Sequence, residues 1–131
     1  MQNPTGLSLR IDDAGSGEFG AKRGGRLHLG TDFFSDGGIT VRAPFDGYVN
    51  RIVYPYVDSL KWQGLELVST DKKFIAHILY VVPCNDVMQR DVVEGQIIGY
   101  GQDICGRYPH LPKMTPHVHV NLYANITEFI R

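Results

Sequence analysis

No stretch of this chain approaches the roughly 20 consecutive apolar residues that cross a bilayer as a helix, so no membrane span is expected. An excess of either charge is also missing: 13 Lys and Arg face 14 Asp and Glu, for a net charge of -1 with histidine neutral. No basic patch or aromatic-basic interleaving stands out, which excludes nucleic acid as an expected partner. Mild acidity gives no electrostatic reason to adhere to an anionic membrane or wall. The first six residues, Met1-Gln2-Asn3-Pro4-Thr5-Gly6, lack the charged start and apolar core of a signal peptide. Localisation is therefore open, and export would need another route or a leader outside this sequence. Cysteine is scarce. Cys84 and Cys105 lack CxxC spacing and sit in different segments, and two free thiols or one disulfide both fit that count. A 3.6-residue apolar period is missing as well, which argues against helices.

The chain has 131 residues, enough for one domain over 1–131 and too few for two. A hydrophobic fraction of 43% suffices for a core. Glycine is abundant at 15 residues and concentrated before residue 40, so that region reads as a run of turns. Segments 39–43, 48–54, 65–69, 74–82, 96–100 and 118–123 are rich in Val, Ile, Tyr or Phe and bounded by Gly, Pro, Asn or Asp. They predict short strands in an all-β domain of antiparallel sheet. Asp46-Gly47, after Pro44, predicts a plain hairpin corner. Asn125-Ile126-Thr127 matches the glycosylation sequon, a chance match where no secretion signal precedes it.

The chemistry concentrates in His117-Val118-His119 and in His28-Leu29-Gly30-Thr31-Asp32. Side chains alternate along a strand, so His117 and His119 project together, about 7 Å apart, and share a face with Asn121. Such a polar face also suits the solvent side of an edge strand. The second motif supplies an imidazole and a carboxylate, with Gly30 expected to let the backbone bend tightly. Taken singly, His28 could be a loop histidine and Asp32 a turn residue. Together, two imidazoles and a carboxylate are the ligand set of a catalytic zinc site whose fourth position stays open for water. A metal bound by His119 would have His117 at the edge of its coordination sphere.

These motifs resemble those of the LytM/lysostaphin-type (M23) zinc metallopeptidases. That family carries HxGxD, an APxDGxV-like hairpin, a GxxIG turn and a terminal HxH. Here they read His28-Leu-Gly-Thr-Asp32, Ala43-Pro-Phe-Asp-Gly-Tyr-Val49, Gly95-Gln-Ile-Ile-Gly99 and His117-Val-His119, in the family's order across most of the chain. The resemblance implies a single compact antiparallel β-sheet domain of the LytM-type peptidase fold with long Gly-rich loops. It implies Zn2+ held by His28, Asp32 and His119, His117 as the catalytic histidine, a peptidoglycan peptide as substrate, and a monomer. A hydrolase of this kind acts at the cell wall or periplasm, and a compact chain without a wall-binding module suits delivery by a phage or secretion assembly, as an endolysin.

One element departs. The family places a Tyr-x-His ahead of the glycine turn, and that histidine polarises or stabilises the reacting group. Counting back from Gly95, the matching position is Tyr80. His77 lies three residues earlier, so strict alternation predicts that it faces away from Tyr80. A tyrosine there donates a hydrogen bond but does not titrate near neutral pH. The departure, with Thr40-Val-x-Ala-Pro-Phe45, Pro55-Tyr56 and Tyr108-Pro109, is similar to the branch that includes the leukocyte-derived chemotaxin, which is regarded as a signalling protein. The expected activity is a zinc endopeptidase whose water is activated by the metal and His117, with Tyr80 polarising the carbonyl. The rival expectation is a weak or inactive zinc-stabilised binding or signalling module of the same fold.

Overall fold

The structure, a computed structural model, describes residues 1–6, 30–35, 37–110 and 114–125, and the backbone of four two-residue strands between residues 11 and 27. Those four form two small ribbons: β1 (Ile11–Asp12) pairs with β2 (Gly15–Ser16), and β3 (Lys22–Arg23) with β4 (Arg26–Leu27). Next come β5 (Thr31–Phe34), β6 (Thr40–Arg42), β7 (Gly47–Val53), β8 (Gly64–Ser69) and β9 (Phe74–Leu79). They are followed by β10 (Val81–Pro83), β11 (Asp91–Val92), β12 (Ile97–Gly101) and β13 (His117–Ala124). Two 3-10 turns, Asn85–Val87 and Ile104–Arg107, are the only helical elements among the described residues. The fold is all-β, and every strand pairing among the described residues is antiparallel.

Six strands form the main sheet in the order β11-β7-β8-β9-β13-β5, and β10-β12-β6 form a second, smaller one. The alternation of apolar residues explains the layering. Val49, Leu65, Leu67, Ala76, Ile78 and Val118 point to one face of the main sheet and pack with Val41, Val81 and Ile98 of the smaller one. Each of the Val, Leu and Ile side chains, fully withdrawn from water, contributes about 1.5–3 kcal/mol. The opposite face of the main sheet carries the polar residues Glu66, His77, His119 and Asn121, which are cross-strand neighbours along β8, β9 and β13.

Three expectations need correction. The glycine-rich region is not turns throughout, because Thr31–Phe34 pairs with β13 as a strand of the main sheet. The single strand expected over 74–82 is two, broken at Tyr80. Asp46-Gly47 is not a hairpin corner: β6 lies in the smaller sheet and β7 in the main one, so the turn carries the chain between layers. Gly47 is required by close approach, since a Cβ there would lie 2.4 Å from the Val68 carbonyl oxygen. Cys84 and Cys105 are both free thiols.

Candidate metal and catalytic centre

The site is built on β13, which is not an edge strand but lies between β9 and β5. Its pairing with β5 sets His119 opposite Asp32 and His117 opposite Phe34. Directly opposed residues in an antiparallel pair share a face, so register alone brings the carboxylate of one motif to the imidazole of the other. Asp32 is 1% exposed. Its Oδ1 lies 2.6 Å from His119 Nδ1, and its Oδ2 lies 3.7 Å from His117 Nε2.

His119 is bracketed by oxygen on both ring nitrogens: Asp32 Oδ1 at Nδ1, and Asn121 Oδ1 at Nε2 at 2.8 Å. Two acceptors satisfy an imidazole in two ways, by a proton on each nitrogen or by a metal in place of the Nδ1 proton. With Nε2–H donated to Asn121, the Nδ1 lone pair points at the carboxylate, the arrangement typical of a metal-ligating histidine with an outer-shell partner. Adjacent ligand atoms on a tetrahedral zinc with ~2.0–2.2 Å bonds stand roughly 3.4 Å apart, so seating one parts this pair by roughly 0.8 Å. The donor set therefore fits zinc with a small side-chain movement. Among the described residues no group of three His, Cys, Asp or Glu side chains could hold a metal by itself. The third expected ligand, His28, lies outside the described residues.

His117 is held differently. Its Nδ1 is 2.9 Å from the Thr115 carbonyl, which can only accept, so Nδ1 carries the proton. In the neutral ring the basic lone pair then sits on Nε2, the nitrogen facing Asp32. The ring is 6% exposed. A fixed tautomer with its basic nitrogen on the side of Asp32 is what a general base beside that carboxylate requires.

Gly30 has a different role from the tight bend expected of it. A Cβ there would lie 2.3 Å from His119 Nε2 and 2.4 Å from Asn121 Oδ1. The missing side chain is the space that the His119–Asn121 pair occupies. Gly30→Ala is therefore expected to weaken zinc binding by roughly tenfold or more and to destabilise the fold by about 1–3 kcal/mol, as overpacking does. A competition titration for zinc and a thermal melt would measure both, and unchanged zinc affinity would contradict the crowding argument.

Alternation fails between His77 and Tyr80. His77 is the cross-strand partner of Asn121 and of Glu66, so it shares the sheet face of His119, one pair farther along. Its Nε2 lies 2.8 Å from Glu66 Oε2, and its ring meets Tyr123 edge-on at 5.3 Å. Burial opposes ionisation of Glu66, but donors from Asn50, His77 and Arg51 outweigh it and hold that carboxyl below its ordinary range. Tyr80 leaves the alternation through its backbone, at φ +68°. The N–H groups of Tyr80 and Val81 both donate to the Gln63 carbonyl, at 2.7 and 3.0 Å. Two consecutive donors on one acceptor mark a β-bulge. The bulge returns the Tyr80 ring to the site, edge-on to His117 at 5.5 Å and 6.4 Å from His119. Position 77 is thus separated from the candidate centre by distance along the strand and by its pairing with Glu66, not by facing the other way.

Sequence reasoning assigned no role to three further residues here. Asn121 was placed on the shared face without a function. Tyr56 and Tyr108 come from loops, where no periodicity predicts a contact. Tyr56 stacks on Tyr80 with ring centroids 6.3 Å apart, and its hydroxyl is 3.2 Å from that of Tyr80. On its other side the Tyr56 hydroxyl makes a short contact with the Tyr108 hydroxyl.

No protein-family profile matches this chain, and no curated protein matches it. Solved structures do. The catalytic domain of the antimicrobial peptidase lysostaphin from Staphylococcus simulans superposes with a TM-score of 0.61 at 22% identity, over 88% of this chain and 80% of that one. This chain has the LytM/lysostaphin-type peptidase fold. A zinc-containing peptidase from Vibrio cholerae shares that fold at 21% identity and a TM-score of 0.62, over 92% of this chain and 35% of that one. So does the catalytic domain of EnpA, a prophage-encoded M23 protein from Enterococcus faecalis solved as a point mutant, at 19% identity and a TM-score of 0.64, over 95% of this chain and 85% of that one. The chain spans 45% of the length of whole lysostaphin. At such identities the likeness is one of LytM-type architecture.

Proposed function

We propose that this protein is a zinc-dependent endopeptidase that cleaves peptidoglycan peptides, a cell-wall hydrolase. The observation that carries the reading is the buried Asp32 carboxylate, met by His119 at 2.6 Å with His117 alongside, on a LytM-type fold. Asp32 and His119, with His28, would hold the metal. When bound there, zinc supplies a Lewis acid and makes water acidic enough to react near neutral pH. His117 Nε2 accepts the proton of the attacking water, while the Thr115 carbonyl holds the ring's other nitrogen in register. The Tyr80 hydroxyl donates to the carbonyl oxygen as negative charge develops on it. The shared fold of the antimicrobial peptidase lysostaphin and of the M23 protein EnpA supports the substrate class.

Digestion of purified peptidoglycan with and without a chelator, followed by identification of the released ends, tests the proposal. Hydrolysis that survives complete zinc removal, or no new ends at all, would refute it. A second reading, a zinc-stabilised binding module, is favoured by one observation: a phenol stands beside the histidine pair instead of a third imidazole. The two separate on Tyr80→Phe. The hydrolase reading expects that variant to slow turnover by roughly 10²-fold, the usual effect of losing an oxyanion donor. His77→Ala should leave both turnover and zinc affinity near wild type, because its imidazole pairs with Glu66.

A further inference from the structure

Three tyrosine hydroxyls are linked in series, in the order Tyr108, Tyr56, Tyr80, and the Tyr80 ring stands edge-on to His117 at 5.5 Å. Tyr56 is the middle member. Burial, then the hydrogen bonds to Tyr108 and Tyr80, push its phenol well above the ordinary value, so it remains a neutral O–H. The array is clamped from outside. The Arg107 guanidinium lies 4.2 Å over the Tyr56 ring, and its Nη2 is 3.1 Å from both carboxylate oxygens of Asp58. Asp58 thus fixes the Arg107 cation, at the end of the second 3-10 turn, against the ring. At the inner end, Tyr80 occupies a left-handed backbone conformation that strains a non-glycine residue. That strain, at a residue whose ring faces the histidine pair, marks a position held for its side chain rather than for stability.

We propose that Tyr56 is a positioning residue: held by Tyr108 and Arg107, it donates its hydroxyl proton to Tyr80 and so turns the Tyr80 hydroxyl into a directed donor for an oxyanion. Each phenol has one proton and two lone pairs. If Tyr108 donates to Tyr56 and Tyr56 to Tyr80, the Tyr80 hydroxyl accepts within the row and keeps its own proton to donate outside it. Hydrogen bonds in such a chain polarise one another, so the terminal donor is stronger than an isolated phenol. No proton is transferred, and the array stays neutral throughout. In this chain an ordered row of neutral donors supplies the charge stabilisation. The inference rests on the hydrolase reading for its substrate but not for its anion-binding step.

The test uses the zinc-loaded full chain and the variants Tyr56→Phe, Tyr80→Phe and the double variant, all of which keep the rings. Two readouts are taken: kcat and KM on peptidoglycan peptides, and affinity for inorganic phosphate by calorimetry, as a tetrahedral oxyanion probe. Tyr56→Phe is expected to lower kcat about threefold to tenfold with KM unchanged, and to weaken phosphate binding by a similar factor. It should have no further effect in the Tyr80→Phe background, because it acts through Tyr80. Additive effects would overturn the proposal, and so would a Tyr56→Phe variant equal to wild type in both readouts. A wild-type protein that hydrolyses nothing but binds phosphate with this same coupling would sink the hydrolase reading and leave the array standing. One that neither hydrolyses nor binds phosphate would overturn the array as well.

Discussion

His119→Ala is expected to reduce zinc affinity roughly 10²–10³-fold, about one ligand's share of a tightly held ion, and to bring hydrolysis to background. His119 is the residue on which the arrangement converges. Its Nδ1 faces the Asp32 carboxylate, its Nε2 faces Asn121, and Gly30 is bare to admit it. Removing the imidazole also takes from the buried Asp32 carboxylate its 2.6 Å contact with His119, a cost on the order of 1–3 kcal/mol that adds a lower melting temperature to the loss of metal. Metal analysis of the purified variant and competition against a chromophoric chelator would measure the first effect. Stoichiometric zinc retained at wild-type affinity would remove His119 from the site.

His117→Ala should separate the two readouts. The variant is expected to keep zinc within a few-fold of wild type and to lose roughly 10²–10⁴-fold in turnover, the range spanned by positioned general bases. The distinction comes from how each ring is tethered. His119 presents a nitrogen to Asp32 at 2.6 Å, whereas His117 anchors its Nδ1 on a backbone carbonyl and stands off at 3.7 Å with the other nitrogen. Full turnover in His117→Ala would end its assignment as the base. A parallel loss of zinc would make it a ligand instead.

The proposed metal ligands and base stood out in the sequence because the chemistry proposed for them restricts the side chains that can do it. Few residues other than histidine and carboxylates suit a zinc site with an open position, so HxGxD and HxH stood out as types and spacings. The central strands were legible for a related reason: β7, β8 and β9 are rich in Val, Ile, Leu or Phe, and at six or seven residues they are long enough for that composition to register. Thr31–Phe34 was not, since four residues after a glycine-rich run carry no period of their own and depend on pairing with β13. The bulge at Tyr80 was hidden more completely. A left-handed residue is usually signalled by glycine, and Leu79-Tyr80-Val81 gives no such sign. The contacts of Tyr56 and Tyr108 depend on two loops meeting over a bulge, which no local rule foresees. Gly30 shows a third kind of gap: the glycine was visible, but the reason for it lay across the strand in His119 and Asn121.

The position of β13 bears on when, during synthesis and folding, the protein can first act. Asp32 and His119 are 87 positions apart, and their strands meet only when β13 slots between β9 and β5. Among the described residues β5 has no other partner strand in the sheet, so it stays unpaired until then. Closing so long a loop is entropically slow and follows local hairpins such as β7–β8 and β8–β9. The nascent chain therefore holds a nearly complete hydrophobic layer while both histidines of the HxH motif are still in the ribosomal tunnel or unpaired. On the proposed hydrolase reading, competence would wait for β13 to insert between β9 and β5, and a molecule lacking that insertion would be inert toward peptides.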